Sequence, residues 1–176
     1  QFAREKTKKD IYDAMQSLEY EINTLYSSQG QTPFTSLGFG LGEGYFEKEI
    51  QKAILKVRIA GLGKEKRTAI FPKLIFVIKE GLNLKPEDPN YDVKQLALEC
   101  ATQRMYPDVI MYDTLVKITG SCKTPMGCRS FLPAWRDENG ELVESGRMNL
   151  GVVTLNLPRI ALESNGDKEL FWEIFK

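Results

Sequence analysis

Residues 70–81, IFPKLIFVIKEG, decide the fold. The apolar run from Leu74 to Ile78 is short and rich in β-branched and aromatic side chains, which predicts a strand entering a core. Upstream, Ile50, Ile54 and Val57 share one face of residues 46–60, and GLGK at 61–64 supplies a stop, so that segment reads as a helix. Downstream, NLKPEDPNYD at 83–92 is a polar connection with two prolines. It leads into a helix from about Asp92 to Tyr106, in which Val93, Leu96 and Cys100 share a face and which Pro107 stops. DVIMYD at 108–113 is another short strand. Strands separated by helical connections of about a dozen residues or more predict an α/β organisation with largely parallel strands.

Farther out, Ile11, Met15, Leu18, Ile22 and Leu25 recur at helical spacing and predict an amphipathic helix ending near residues 27–31. The first half of TPFTSLGFGLGEG, 32–44, alternates as a strand, and Gly38, Gly40, Gly42 and Gly44 indicate close backbone approach or a tight loop. DENGE at 137–141 reads as a hairpin turn, VVTLNLP at 152–158 as a strand with Pro158 near its exit, and Asp167 as the start of a final helix.

With 24 basic against 24 acidic side chains in 176 residues, no net field favours nucleic acid or an acidic membrane surface, and neither is an expected partner. No apolar run reaches the roughly 18 residues of a membrane span, and no signal-peptide pattern is visible. The expected compartment is cytoplasmic. Three cysteines leave at least one sulfur unpaired within the chain, which fits a reduced interior. The apolar periodic ending KELFWEIFK suggests a piece of something longer.

Histidine is absent, so neither a Ser-His-Asp nor a Cys-His arrangement can be built from this chain alone. The step from Cys122 to Cys128 is not a zinc-knuckle spacing, and DENGE is too short for a calcium loop. GFGLGEG could aim backbone amides at a phosphate, but it lacks the Lys-Ser or Lys-Thr of a P-loop and carries Glu43 where a negative charge opposes an anion. GLGKEKR is equally readable as a solvated helix end. Cys100, on an apolar helix face, reads as a small buried hydrophobe. Cys128 differs: it stands between Gly127 and Arg129, where the chain can turn sharply while Pro125 limits its motion. A surface turn with an incidental cysteine is the plain alternative.

Several long segments occur together: GQTPF from Gly30, RIAGLGK from Arg58, FPKLIFVIKEGLN from Phe71, DPNYDVKQLALECA from Asp88, TPMGCRSFL from Thr124 and GRMNLGVVTLNLPRIALE from Gly146. In this order they resemble the anaerobic (class III) ribonucleoside-triphosphate reductase family, and the resemblance runs through essentially the whole chain.

That resemblance implies a glycyl radical enzyme built on a ten-stranded α/β barrel, of which residues 1–176 are the central part of the catalytic domain. It makes Cys128 the thiyl-radical residue on an inward loop, Asn149 an active-site residue near the ribose hydroxyls, and Ser130, Met126 and Arg129 neighbours of substrate or formate. Cys122 does not match the family's partner cysteine. The family's glycyl radical and structural zinc are expected in a C-terminal region not present here, and its nucleotide-sensing region in an N-terminal part equally absent. Expected partners are ribonucleoside triphosphates, a radical-SAM activating enzyme, a second copy of the full-length subunit, and ATP and deoxynucleotide effectors. Alternatives from other classes are a noncatalytic nucleotide-binding or assembly domain and a glycyl radical enzyme with a different substrate.

Overall fold

The computed structural model describes residues 2–26, 28, 30–125, 131–132, 135–143, 146 and 154–176. They fall into two compact units, Gln1–Ala134 and Trp135–Lys176. In the first, the elements run α1 (Phe2–Thr24), β1 (Ser36–Phe39), α2 (Tyr45–Ala60), β2 (Lys73–Ile78), α3 (Tyr91–Arg104), β3 (Asp108–Met111) and α4 (Tyr112–Thr119). The strands form one parallel sheet in the order β1-β2-β3, with Phe39 opposite Phe76 and Val77 opposite Ile110. Helix α2 connects the first pair and α3 the second, the helical crossover that parallel neighbours require.

Strand β2 is central, and Leu74 through Ile78 are all buried. A strand covered on both faces needs a continuous apolar run rather than an alternating one, which is what residues 74–78 supply. Phe76 and Ile78 meet Leu55 of α2 and Val93, Ala97 and Cys100 of α3 in one cluster. Phe39 joins it edge-on to Phe76, with ring centroids 5.5 Å apart at 69°. Because side chains alternate along a strand, Ile75, Val77 and position 38 face the other side of the sheet.

Helix α1 begins at Phe2, well ahead of the apolar stripe that starts at Ile11. Its first turns are mostly exposed and carry helix-favouring charges, including the Lys9–Asp13 pair one turn apart, with Arg4 set over the Tyr45 ring of α2 at 5.1 Å. Helix α4 was not legible: the chain turns helical at Tyr112 directly after β3, and Asp113 in its first turn accepts a hydrogen bond from the Glu80 amide at 3.0 Å.

The second unit contains α5 (Leu157–Glu163) and α6 (Lys168–Phe175). Here the structure corrects the expectation of a strand running to Pro158. Residues 154–156 belong to no strand, and Pro158 lies in the first turn of α5, where the Asn156 side chain accepts from the Arg159 amide at 3.0 Å. Proline lacks an N–H that a first helical turn does not use, so it starts this helix instead of ending a strand. The remainder of that expected strand, 152–153, lies outside the described residues. Asp167 caps α6 as expected, accepting from the amides of Glu169 at 2.9 Å and Leu170 at 3.2 Å. The expected turn at 137–141 is closed by Asp137 N–H donating to the Glu141 carbonyl at 3.0 Å and is flanked by an antiparallel bridge between Arg136 and Leu142.

Three parallel strands with covering helices are what one segment of an α/β barrel contributes, and among the described residues they do not close on themselves.

Candidate functional site

The residues singled out from the sequence, Cys128, Asn149, Ser130, Met126 and Arg129, all lie outside the described residues. What is described is the chain that leads to Cys128. After α4 ends at Gly120, residues 121–125 run to a buried Pro125. On the way, the Thr124 side chain closes on Gly38 of β1, so tightly that a Cβ at position 38 would lie 2.4 Å from Thr124 Cγ2. Since Phe39 points into the helix-covered core, Gly38 looks to the opposite face, and the segment preceding Cys128 therefore lies on the sheet face that carries no helix of this core.

A cleft of about 340 Å³ opens beside this contact, at the carboxyl end of β1. It lies between the glycine-rich turn 38–42, Glu47, Ile50 and Gln51 of α2, Val77 of β2, and Cys122 and Thr124. Crevices at the carboxyl ends of parallel strands are the usual binding locations in α/β folds.

Three buried amide side chains shape the glycine-rich wall. Asn83 Nδ2 donates to the carbonyls of Gly40 at 2.9 Å and Val77 at 3.1 Å, while its Oδ1 accepts from the Lys79 amide at 2.9 Å. Asn90 Nδ2 and Gln51 Nε2 both donate to the Gly42 carbonyl, at 2.7 Å and 3.0 Å. At the head of α2 the Glu47 carboxylate accepts from the Gly44 amide at 2.7 Å. Only glycine fits at position 40, where φ is +123° and a Cβ would lie 2.4 Å from the Val77 carbonyl oxygen.

The carbonyls of the glycine-rich wall are already paired, and the cleft surface is chiefly apolar and carries the Glu47 carboxylate, which disfavours the phosphate-cradle use of GFGLGEG. One acceptor is idle: Gln51 is 4% exposed, and its Oε1 has no hydrogen-bond partner.

The two described thiols separate cleanly. Burial pushes the Cys100 thiol up to about 11, which keeps it a neutral member of the core. Cys122 is partly exposed in the cleft wall, and its thiol is also raised, first by burial and then by the negative charge of Asp113. Among the described residues no three His, Cys, Asp or Glu side chains converge as a metal site, and no helix is long and apolar enough to cross a membrane.

The sequence did not reveal Gln51, Asn83 and Asn90. The signal for them was the alternation of Gly38, Gly40, Gly42 and Gly44: backbone that approaches so closely has carbonyls to satisfy, and a carboxamide is one of the neutral side chains able to donate to them.

The pattern of one protein family, described as anaerobic ribonucleoside-triphosphate reductase, matches residues 1–176. The chain belongs to the anaerobic ribonucleoside-triphosphate reductase family. The anaerobic ribonucleoside-triphosphate reductase of Salmonella typhimurium is 62% identical over 173 residues, covering 98% of this chain and 24% of the relative. That of Haemophilus influenzae is 59% identical over 170 residues, covering 97% and 24%. That of Enterobacteria phage T4 is 60% identical over 165 residues, covering 93% and 27%. The chain therefore spans about a quarter of the length of these curated reductases, and family membership supports an oxidoreductase of this class.

Proposed function

We propose that residues 1–176 form the central part of the catalytic barrel of an anaerobic reductase that converts ribonucleoside triphosphates to 2′-deoxyribonucleoside triphosphates, with Cys128 as the radical-carrying residue. The observation that supports this most is the family match over the whole chain, together with the seating of Thr124 against Gly38, four residues before Cys128. The same match carries the complete ten-stranded barrel and the cytoplasmic setting as part of the proposal.

A sulfur exchanges a hydrogen atom with a sugar C–H bond without a large energetic mismatch, whereas a serine oxygen would hold the hydrogen too tightly to return it. Rigid placement turns that reactivity into one productive contact. In the proposed sequence the thiyl sulfur of Cys128 takes hydrogen from the ribose 3′ carbon, and the 2′ hydroxyl leaves with a proton as water. Formate, oxidised to carbon dioxide, supplies two electrons, and the cysteine returns its hydrogen to the 3′ carbon. Asn149 orients the sugar hydroxyls through its amide, which does not titrate and so is no general base. Ser130, Met126 and Arg129 line the neighbourhood of sugar and formate.

The glycyl radical that generates the thiyl, and a structural zinc, belong in this proposal to sequence beyond residue 176. The described residues offer zinc no donor set, and no step above runs through it. An activating radical-SAM enzyme, a full-length homodimer, and ATP and deoxynucleotide effectors complete the proposed system.

The test is the full-length enzyme carrying Cys128→Ala. After activation its glycyl radical should be visible by electron paramagnetic resonance while deoxynucleotide formation is abolished. Normal turnover in that variant would remove the assignment.

A further inference from the structure

The connection after β2 contributes a side chain to which the proposed reaction gives no role. Asn83 is 0% exposed and commits both amide hydrogens, one to the Gly40 carbonyl at 2.9 Å and one to the Val77 carbonyl at 3.1 Å. Its Oδ1 accepts from the Lys79 amide at 2.9 Å, which ties the carboxamide to the exit of β2. The two carbonyls lie where strand pairing stops. The register of β1 on β2 ends at Phe39–Phe76, and Gly40 then crosses close over the Val77 backbone. Beyond that last pair the Asn83 carboxamide joins the two strand ends. Two residues back from Gly40 stands Gly38, on which the Thr124 side chain closes, and Val77 lines the same cleft as Thr124 and Cys122. A contact with so little clearance passes any shift of β1 on to Thr124, because close-packed groups transmit strain instead of absorbing it.

Resting on the assignment of Cys128 as the radical-carrying residue, we propose that Asn83 is a positioning residue for the reduction. By clamping Gly40 to Val77 it fixes the end of β1 against which Thr124, and with it the chain leading to Cys128, is seated.

The test uses the activated full-length enzyme. Asn83→Asp keeps the side-chain size and the acceptor for Lys79 but removes the paired donors, and Asn83→Ser, which retains one donor, is read beside it should the aspartate fail to fold. Val93→Ala trims a wholly buried side chain on the helix-covered face of the sheet and supplies a variant destabilised by lost packing alone. At equal glycyl-radical content, kcat should fall about tenfold or more in Asn83→Asp, with KM within about twofold, since about 1 Å of misplacement can cost about 10²-fold. Val93→Ala should leave both unchanged at temperatures where it is folded. Added to Gly38→Ala, which disturbs the same seat, Asn83→Asp should cost little more, because changes acting through one contact are not additive.

A second readout needs no radical. In unactivated protein, iodoacetamide should modify Cys122 about fivefold faster or more in Asn83→Asp than in the wild type or Val93→Ala, as local opening of the cleft wall exposes the thiol to reagent. Peptide mass spectrometry reads the rate. A fall in kcat no larger than that of Val93→Ala overturns the proposal, as does a fully additive double variant or unchanged Cys122 labelling. Turnover by Cys128→Ala would instead overturn the radical assignment, and the labelling would still show whether Asn83 holds the seat.

Discussion

Glu19 on α1 and Arg58 on α2, 39 positions apart in the chain, meet as an ion pair closed off from solvent: Arg58 is 0% exposed and Glu19 5%. Arg58 Nη2 also donates to the Pro72 carbonyl at 2.7 Å, while Asn23, one turn beyond Glu19, accepts from the Ile70 amide at 3.1 Å and the Phe71 amide at 3.2 Å. Helix α1 is thereby latched to the entrance of β2, the strand around which the sheet is built.

Removing one partner of such a pair strands a buried charge, at a cost of roughly 3–5 kcal/mol, whereas replacing both by apolar side chains is often close to neutral. Glu19→Ala in the full-length protein should therefore speed hydrogen exchange of α1 amides about a hundredfold or more, and Glu19→Leu combined with Arg58→Met should recover most of the protection. Equal exchange in the single and double variants would count against the latch.

The same pair has a pH signature. Burial raises the Glu19 carboxyl above its usual 4.5, outweighing the pull of Arg58 and Arg104 in the opposite direction. A carboxyl raised on folding binds its proton more tightly in the folded state. Its contribution to stability accordingly grows as pH falls from the raised value toward about 4.5 and is absent well above that window. Protection factors of α1 in the wild type should rise over this interval relative to those in Glu19→Gln. A difference that shrinks or reverses would contradict the sign.

A steric prediction concerns the approach to Cys128. Gly38→Ala puts a methyl 2.4 Å from Thr124 Cγ2, so the segment 122–125 must move. Misplacement by about 1 Å can cost about 10²-fold in rate. Turnover of the full-length Gly38→Ala enzyme should fall by tenfold or more, and Thr124→Ser, which deletes that methyl group, should restore much of it. Failure of the serine to rescue would mean that the Gly38–Thr124 contact does not place the loop.

Thiol reactivity should follow burial. At pH 8 Cys122, in the cleft wall, should be alkylated well before Cys100, whose thiol stands near 11 and is wholly buried. Peptide mass spectrometry after short exposure to iodoacetamide reads the order directly.

The sheet and its crossovers were readable because their determinants are local. The buried run 74–78 and the stripes Ile50–Ile54–Val57 and Val93–Leu96–Cys100 each announce their own element. Helix α5 was misread because an apolar run ending in proline looks alike as a strand exit and as a helix start, and the Asn156 cap decides between them. The cleft was less legible, since it assembles Gln51, Val77, Cys122 and Thr124 from separate parts of the chain. Glu19 left a trace: it sits between Met15 and Ile22 on the apolar stripe, where a charge is expensive without a partner, but nothing local names Arg58 as that partner.

The most direct test of the central claim is a single-turnover comparison of 3′-deuterated and ordinary cytidine triphosphate in the activated full-length enzyme. If Cys128 takes the 3′ hydrogen, the deuterated substrate should react more slowly in the wild type, and Cys128→Ser, with its glycyl radical intact, should yield no deoxynucleotide from either. Deoxynucleotide formation by the serine variant at the wild-type rate would contradict the account.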